Sequence, residues 1–301
     1  MKKLLSIVTV LVLLTFSFNF VFAKEKCLVM GLIPAEDPKA MIEKYTPLKN
    51  FLEKEIGRCI ELFTATDYTG VIEAMRAKKV DFAWFGPFSY VLAHERAGAE
   101  AFAVGVDKNG KTTYHSYLIA TPEVAQKLGI TKTLEGLDGL KYISEKLNGE
   151  FRRKFTFTFT ETASTSGYAV PRYYMHLAGI TPEKVFRKVG YVGTHDAAIL
   201  TVKNKIIDMA SVYDEVYHDM LDKGRITSDS VVIIWKSPEI VGEPFAYRGD
   251  LDEQTKRLLR NAITKVPSHL TGSPRLRGYK LTSDSEYKTI KEIKRFIDTL
   301  K

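Results

Sequence analysis

Cysteine is nearly absent, with two residues in 301, and histidine is sparse, with six. The histidines are dispersed, with no two at the spacing that places a pair of ligands on one helix face. Neither cysteine has a second cysteine or a histidine at ligand spacing, so no metal centre is expected. The clustered Asp and His of a metal-dependent phosphatase are missing as well. No Gly-x-Ser-x-Gly elbow is present to carry a hydrolase serine. Low-complexity stretches and short internal repeats are lacking, which argues against a solenoid. Beyond the first 23 residues no run is apolar enough to cross a bilayer.

What is there is a globular composition, 45% apolar and 27% charged, in a chain long enough for two lobes with separate cores. Lys2 and Lys3, the apolar run Leu4 to Leu14 and the small Ala23 at a cleavage point describe a secretory signal over residues 1–23. Thr15, Ser17 and Asn19 interrupt the run, which makes it a poor membrane span. The charged residues Lys24, Glu25 and Lys26 argue against lipid attachment at Cys27. Losing the signal takes the formal charge from +8 to +6. Lys and Arg are scattered among Glu and Asp, a solvated surface rather than a nucleic-acid face. The exported chain is expected to be a monomer that favours anions slightly.

Short apolar runs alternate with amphipathic segments. "CLVMGLIP", "CIELFTAT", "VDFAWF" and "AEAFAVGV" read as strands, separated by segments opened by Asp37-Pro38, Asp67 and Gly86-Pro87 and closed by Gly57 and Gly98. The pattern restarts after Tyr117 with "FTFTFT", a hydroxyl-rich block, "KVGYVG", "THDAAILTVKNK" and "IIDMASVY". Strand-helix-strand repetition implies right-handed crossovers and sheets of mostly parallel strands flanked by helices, an α/β fold. The expected organisation is a first lobe over 24–119, completed by 238–301, and a second over 120–237, with crossings near Tyr117–Pro122 and Trp235–Glu239. Cys27 and Cys59 each open a strand-like run; if those strands are parallel neighbours the two can bond in an oxidising compartment, the alternative being two buried thiols.

In parallel sheets ligands collect where loops leave the carboxyl ends of strands. Four such loops are polar or aromatic: Ala65–Tyr68, Trp84–Tyr90, Thr162–Tyr168 and Gly193–Asp196. In the third, Ser164, Thr165 and Ser166 stand before Gly167 and a helical segment. Hydroxyls at a helix start suit a tetrahedral oxyanion. A single capping hydroxyl is the simpler reading, but one cap needs one hydroxyl and the block has three.

"ATDYTGVIEAMRAKKVDFAWFGPFSY", "STSGYAVPRYY" and "GTHDAAILTVKNKIIDMA", in this order behind a signal, resemble the phosphate/phosphite/phosphonate-binding family of periplasmic ABC-transporter receptors. The resemblance covers nearly the whole exported chain. It implies a two-lobed periplasmic-binding-protein fold of type II with the ligand in the interlobe cleft, no cofactor, no covalent chemistry and delivery to an ABC permease. Matched motif by motif, the resemblance places the ligand-gripping hydroxyls on Ser164, Thr165 and Ser166, and further donors on Tyr68, Tyr114 and His195. It places carboxylates for an aminoalkyl group on Glu215 and Glu243, and "VYDEVY" leaves Asp214 as an alternative to Glu215. A solute sensor reporting to a signalling receptor would share these features, and gene neighbourhood would separate it from an import receptor.

Overall fold

The computed structural model describes residues 26–300; the expected signal at 1–23 lies outside them. Fourteen strands are described. Six form a first sheet: β1 (Leu28–Leu32), β2 (Ile60–Thr64), β3 (Phe82–Trp84), β4 (Ala99–Asp107), β13 (Pro244–Arg248) and β14 (Leu276–Leu281). A second sheet holds β6 (Ser116–Ala120), β7 (Leu134–Glu135), β8 (Thr156–Phe159), β9 (Lys188–Tyr191), β10 (Met209–Tyr213) and β11 (Val232–Lys236). Between them β5 (Thr113–Tyr114) and β12 (Ile240–Val241) make a small antiparallel ribbon. This is a mixed α/β fold of two sheets flanked by helices.

The strand orders are β14-β4-β13-β3-β1-β2 and β7-β11-β6-β10-β8-β9. β1 pairs in parallel with β2 and β3, and β10 with β8, so most strands point their carboxyl ends the same way. Three strands run the other way: β13 inserts antiparallel between β3 and β4, β14 pairs antiparallel with β4 at the sheet edge, and β6 runs antiparallel between β10 and β11. Helix starts follow the sequence signals. Asp37 accepts from the Lys39 and Ala40 amides ahead of the helix Pro38–Ile56, which ends at Gly57 with φ 72°. Only glycine takes that left-handed value without strain.

The chain passes between the sheets over 108–115 and again over 237–243, with the β5/β12 ribbon in the passage. The first passage is earlier than the sequence suggests, because all five residues Ser116–Ala120 are buried in the middle of the second sheet. An apolar strand centre cannot serve as a crossing. Beside that passage, Gly105–Thr112 reads "GVDKNGKT", by spacing alone a nucleotide phosphate loop. It is a hairpin turn instead. Asp107 Oδ1 accepts from the Asn109 and Lys111 amides, the Lys111 ammonium lies 2.7 Å from Glu239, and β5, not a helix, follows.

The parallel register sets Leu28 opposite Ile60, which brings Cys27 beside Cys59 with Cα atoms 4.7 Å apart and a disulfide between them. The bridge ties the amino ends of two strands, away from the carboxyl-end loops. Replacing both cysteines with serine is expected to cost about 3–4 kcal/mol on the chain-entropy model. Urea denaturation would measure that loss, and ligand affinity of the variant should stay unchanged.

Candidate functional site

Loops from both sheets meet at the strands' carboxyl ends. Each delivers the start of a helix: Tyr68 opens Tyr68–Arg76, Gly86 precedes Pro87–Ala97, Ser164 precedes the turn Thr165–Ala169 that runs into Val170–Leu177, and His195 opens His195–Lys203. All four line one small space, where the centre of a water-sized sphere ranges over about 20 Å³, together with Thr165, Ser166, Tyr114, Tyr213, Trp84 and Glu243. No Lys or Arg is among its lining residues. The positive potential there comes from helix amides and polarised O–H and N–H groups.

The loops interlock across the sheets. The Phe88 amide donates to Thr165 Oγ1 at 2.8 Å, and the His195 amide donates to Ala35 O at 2.9 Å. Ser164 caps its own turn by accepting from Gly167 N at 3.1 Å. That leaves the first amides of the turn without intrahelical acceptors, as at any helix start. The Gly167 carbonyl is held from behind by Ser211 Oγ at 2.7 Å, and Ser166 O by Ser116 Oγ at 2.6 Å. The Tyr68 and Tyr114 side chains line the same cavity as Ser164, Thr165 and Ser166. Burial holds both phenols protonated, well above their ordinary range, so both remain donors.

His195 is fixed as a neutral donor. Burial pushes its pKa down to about 3, and its Nδ1 accepts from the Tyr213 amide at 3.0 Å. The proton therefore sits on Nε2, which lies 3.4 Å from Ser164 Oγ on the cavity side. Tyr68, Tyr114, Ser164, Thr165, Ser166 and His195, all expected from the sequence, are brought together around one buried cavity.

Tyr114, Tyr213, Trp84 and Glu243 also line a second, larger space of about 380 Å³ that opens outward past Tyr45, Tyr279, Asp214 and Glu215. Glu243 is pushed up to about 8 by burial and then by the Glu215 carboxylate. Asp214 is raised to about 7 by the same two causes, although its oxygens accept from the His115 and Glu215 amides. Glu215 differs, because Tyr213 Oη donates to one of its oxygens at 3.0 Å and the other lies 3.7 Å from Lys44 Nζ. The site thus has two ends: a pocket of neutral donors, and an aromatic chamber lined by the carboxylates Asp214, Glu215 and Glu243, with Arg275 acting on Asp214 and no cation acting on Glu243.

The sequence marks Trp84 only as the start of a candidate loop and gives no sign of Tyr213, Tyr45 and Tyr279. The first two end β3 and β10, so a rule that weighs aromatic residues at strand ends would find them. Tyr45 sits within a helix and Tyr279 on the late strand β14, where nothing local marks them.

Comparison with known proteins identifies the family and the fold. The family model described as the periplasmic substrate-binding protein of phosphonate ABC transporters matches residues 30–287. The phosphonates-binding periplasmic protein of Escherichia coli (strain K12) is 31% identical over 233 residues, 77% of this chain and 64% of the relative, so the match spans just under two thirds of that protein. A binding component of an ABC phosphonate transporter from Pseudomonas aeruginosa superposes with a TM-score of 0.77 at 26% identity, covering 90% of this chain and 86% of the other. A Prochlorococcus marinus (MIT 9301) protein solved with methylphosphonate has the same fold, with a TM-score of 0.78 at 21% identity over 91% and 98% of the two chains. The chain belongs to the periplasmic substrate-binding proteins of phosphonate ABC transporters.

Proposed function

We propose that the chain captures a phosphonate, or a closely related phosphorus oxyanion, in the periplasm and delivers it to an ABC import permease. The two sheets with their helices act as lobes, joined by the passages at 108–115 and 237–243, and no covalent step occurs. The observation that carries this reading is a cavity walled by four helix starts, three hydroxyl side chains, two protonated phenols and a neutral imidazole N–H, with no basic side chain among its lining residues. Such a wall suits a tetrahedral oxyanion whose charge is spread over several oxygens. Lobe closure strips water from the anion and strengthens each hydrogen bond. The carboxylates Glu215 and Glu243 border the organic end, and Glu243, on which no cation acts, favours a ligand with a cationic group there.

Calorimetric titration of the exported chain with 2-aminoethylphosphonate, methylphosphonate, phosphite, phosphate and sulfate tests the reading. Tight binding of a phosphorus compound with sulfate excluded supports it, and silence across the panel refutes it. Ser164→Ala and Thr165→Val should each cost about 1–3 kcal/mol of binding, since each removes a donor from a buried anion. Unchanged affinity in both would take the hydroxyl block out of the site.

A further inference from the structure

Lys44 projects from the helix Pro38–Ile56 of the first lobe towards carboxylates of both lobes. Its Nζ lies 2.9 Å from Glu36 Oε1 and 3.7 Å from Glu215 Oε1, and the Lys44 and Glu215 side chains are 23% and 12% exposed. Glu36 leaves β1 on the same side, whereas Glu215 begins the helix Asp214–Asp222 on the second-sheet side. Because Tyr213 Oη takes the other Glu215 oxygen, both oxygens of that carboxylate are engaged before any ligand arrives. Glu243 is placed otherwise: it lines the small cavity as well as the chamber, and none of the groups acting on it is cationic.

An ammonium beside a carboxylate at the organic end of the cleft is the charge arrangement that an aminoalkyl phosphonate would itself bring. We propose that Lys44 is a built-in stand-in for the ligand's ammonium. By neutralising Glu215 across the cleft it lets the lobes close on phosphonates that carry no cation, and it leaves Glu243 as the counter-charge for those that do. The alternative is a site that closes only when the ligand brings a cation for Glu215, because a carboxylate buried without a partner opposes closure. This inference rests on the receptor reading above and concerns which phosphonates the receptor accepts.

The test compares methylphosphonate with 2-aminoethylphosphonate by calorimetry on the exported chain and on variants whose melting is checked first. In Lys44→Met, methylphosphonate should weaken at least about tenfold, since closure now buries an unpaired Glu215. The amino compound should weaken less than about threefold, its own ammonium reaching Glu215, so the affinity ratio moves by a clear factor in its favour. Adding Glu215→Gln to Lys44→Met should restore methylphosphonate and abolish that shift. In Glu215→Gln alone the affinities for the two ligands should move in step, with their ratio kept, and this arm stands even where Lys44→Met folds poorly. Parallel losses for the two ligands in Lys44→Met, or a selective loss of the amino compound in Glu215→Gln, would overturn the inference. If the unaltered chain binds neither phosphonate, the receptor reading fails and this inference with it; binding with an unmoved ratio overturns this inference alone.

Discussion

Gly167→Ala is expected to remove ligand binding almost entirely while leaving a folded chain. A Cβ at this position would stand 1.7 Å from Thr160 Oγ1 and 2.8 Å from Ser164 Oγ, closer than atoms approach without bonding. The reason is close approach rather than a left-handed backbone. The turn Thr165–Ala169 lies flat against the end of β8, with Thr160 N donating to Gly167 O and Gly167 N donating to Ser164 Oγ. An added methyl must lift the turn, and Thr165, Ser166 and the Ser164 cap leave the cavity with it. Losing two or three donors to a buried anion amounts to roughly 3 kcal/mol or more, a factor of a hundred or above in affinity. Gly190→Ala in β9 serves as the control, because its nearest new contact, Thr158 Oγ1 at 3.9 Å, is ordinary packing. Titration of both variants with the tightest phosphonate decides the matter, and full affinity in Gly167→Ala would mean that this turn does not form the binding wall.

The same glycine shows how far the sequence could be read. Three hydroxyls before a glycine and a helix pointed to an anion site, and the strand-helix alternation placed that block at a strand's carboxyl end, because both are local, periodic signals. The family motifs did the rest for Tyr68, Tyr114 and His195. What stayed hidden depends on long-range placement. β13 lies between β3 and β4 although some 140 residues separate it from them, and it carries Glu243 to the cleft on its leading edge. The first crossing was misplaced because "SYLIA" has the same apolar pattern as a strand or a short linker until its two neighbours are known. Tyr45 and Lys44 carry no local mark within their helix, and only the folded chain shows Lys44 beside Glu215 and Tyr45 lining the chamber.

The protonation of the site follows from burial and works in two directions. His195, held at about 3 against an unfolded 6.5, is neutral in the folded chain, so the unfolded chain binds more protons between those values. Its contribution to stability is complete above pH 6.5 and is lost as pH falls towards 3. Glu243 behaves oppositely. Its pKa of about 8 lies above the unfolded 4.5, so the folded chain binds the extra proton between those values, and the stability this contributes is full below pH 4.5 and lost as pH rises through 8.

Capture of an aminoalkyl phosphonate should then release a proton from Glu243. At pH 7 a carboxyl titrating near 8 is about nine-tenths protonated, and a ligand ammonium at hydrogen-bond distance stabilises the carboxylate form and expels that proton. Methylphosphonate brings no cation and should leave Glu243 protonated. Any proton lost by the phosphonate group itself is common to both ligands, so the difference between them isolates Glu243. Titration calorimetry in buffers of different ionisation enthalpy measures it as a difference approaching one proton per site at pH 7, which vanishes by pH 9.5 or so, where Glu243 is already ionised. Glu243→Gln should erase the difference and weaken the amino compound by roughly 2 kcal/mol, about thirtyfold, while sparing methylphosphonate and phosphite. Equal losses for all three ligands would make Glu243 a wall rather than a counter-charge. Asp214, raised to about 7, accepts hydrogen bonds from two backbone amides and lines the outer chamber only, so Asp214→Asn should leave the difference between the two ligands in place. That contrast separates a carboxylate that meets the ligand from one that holds the loop.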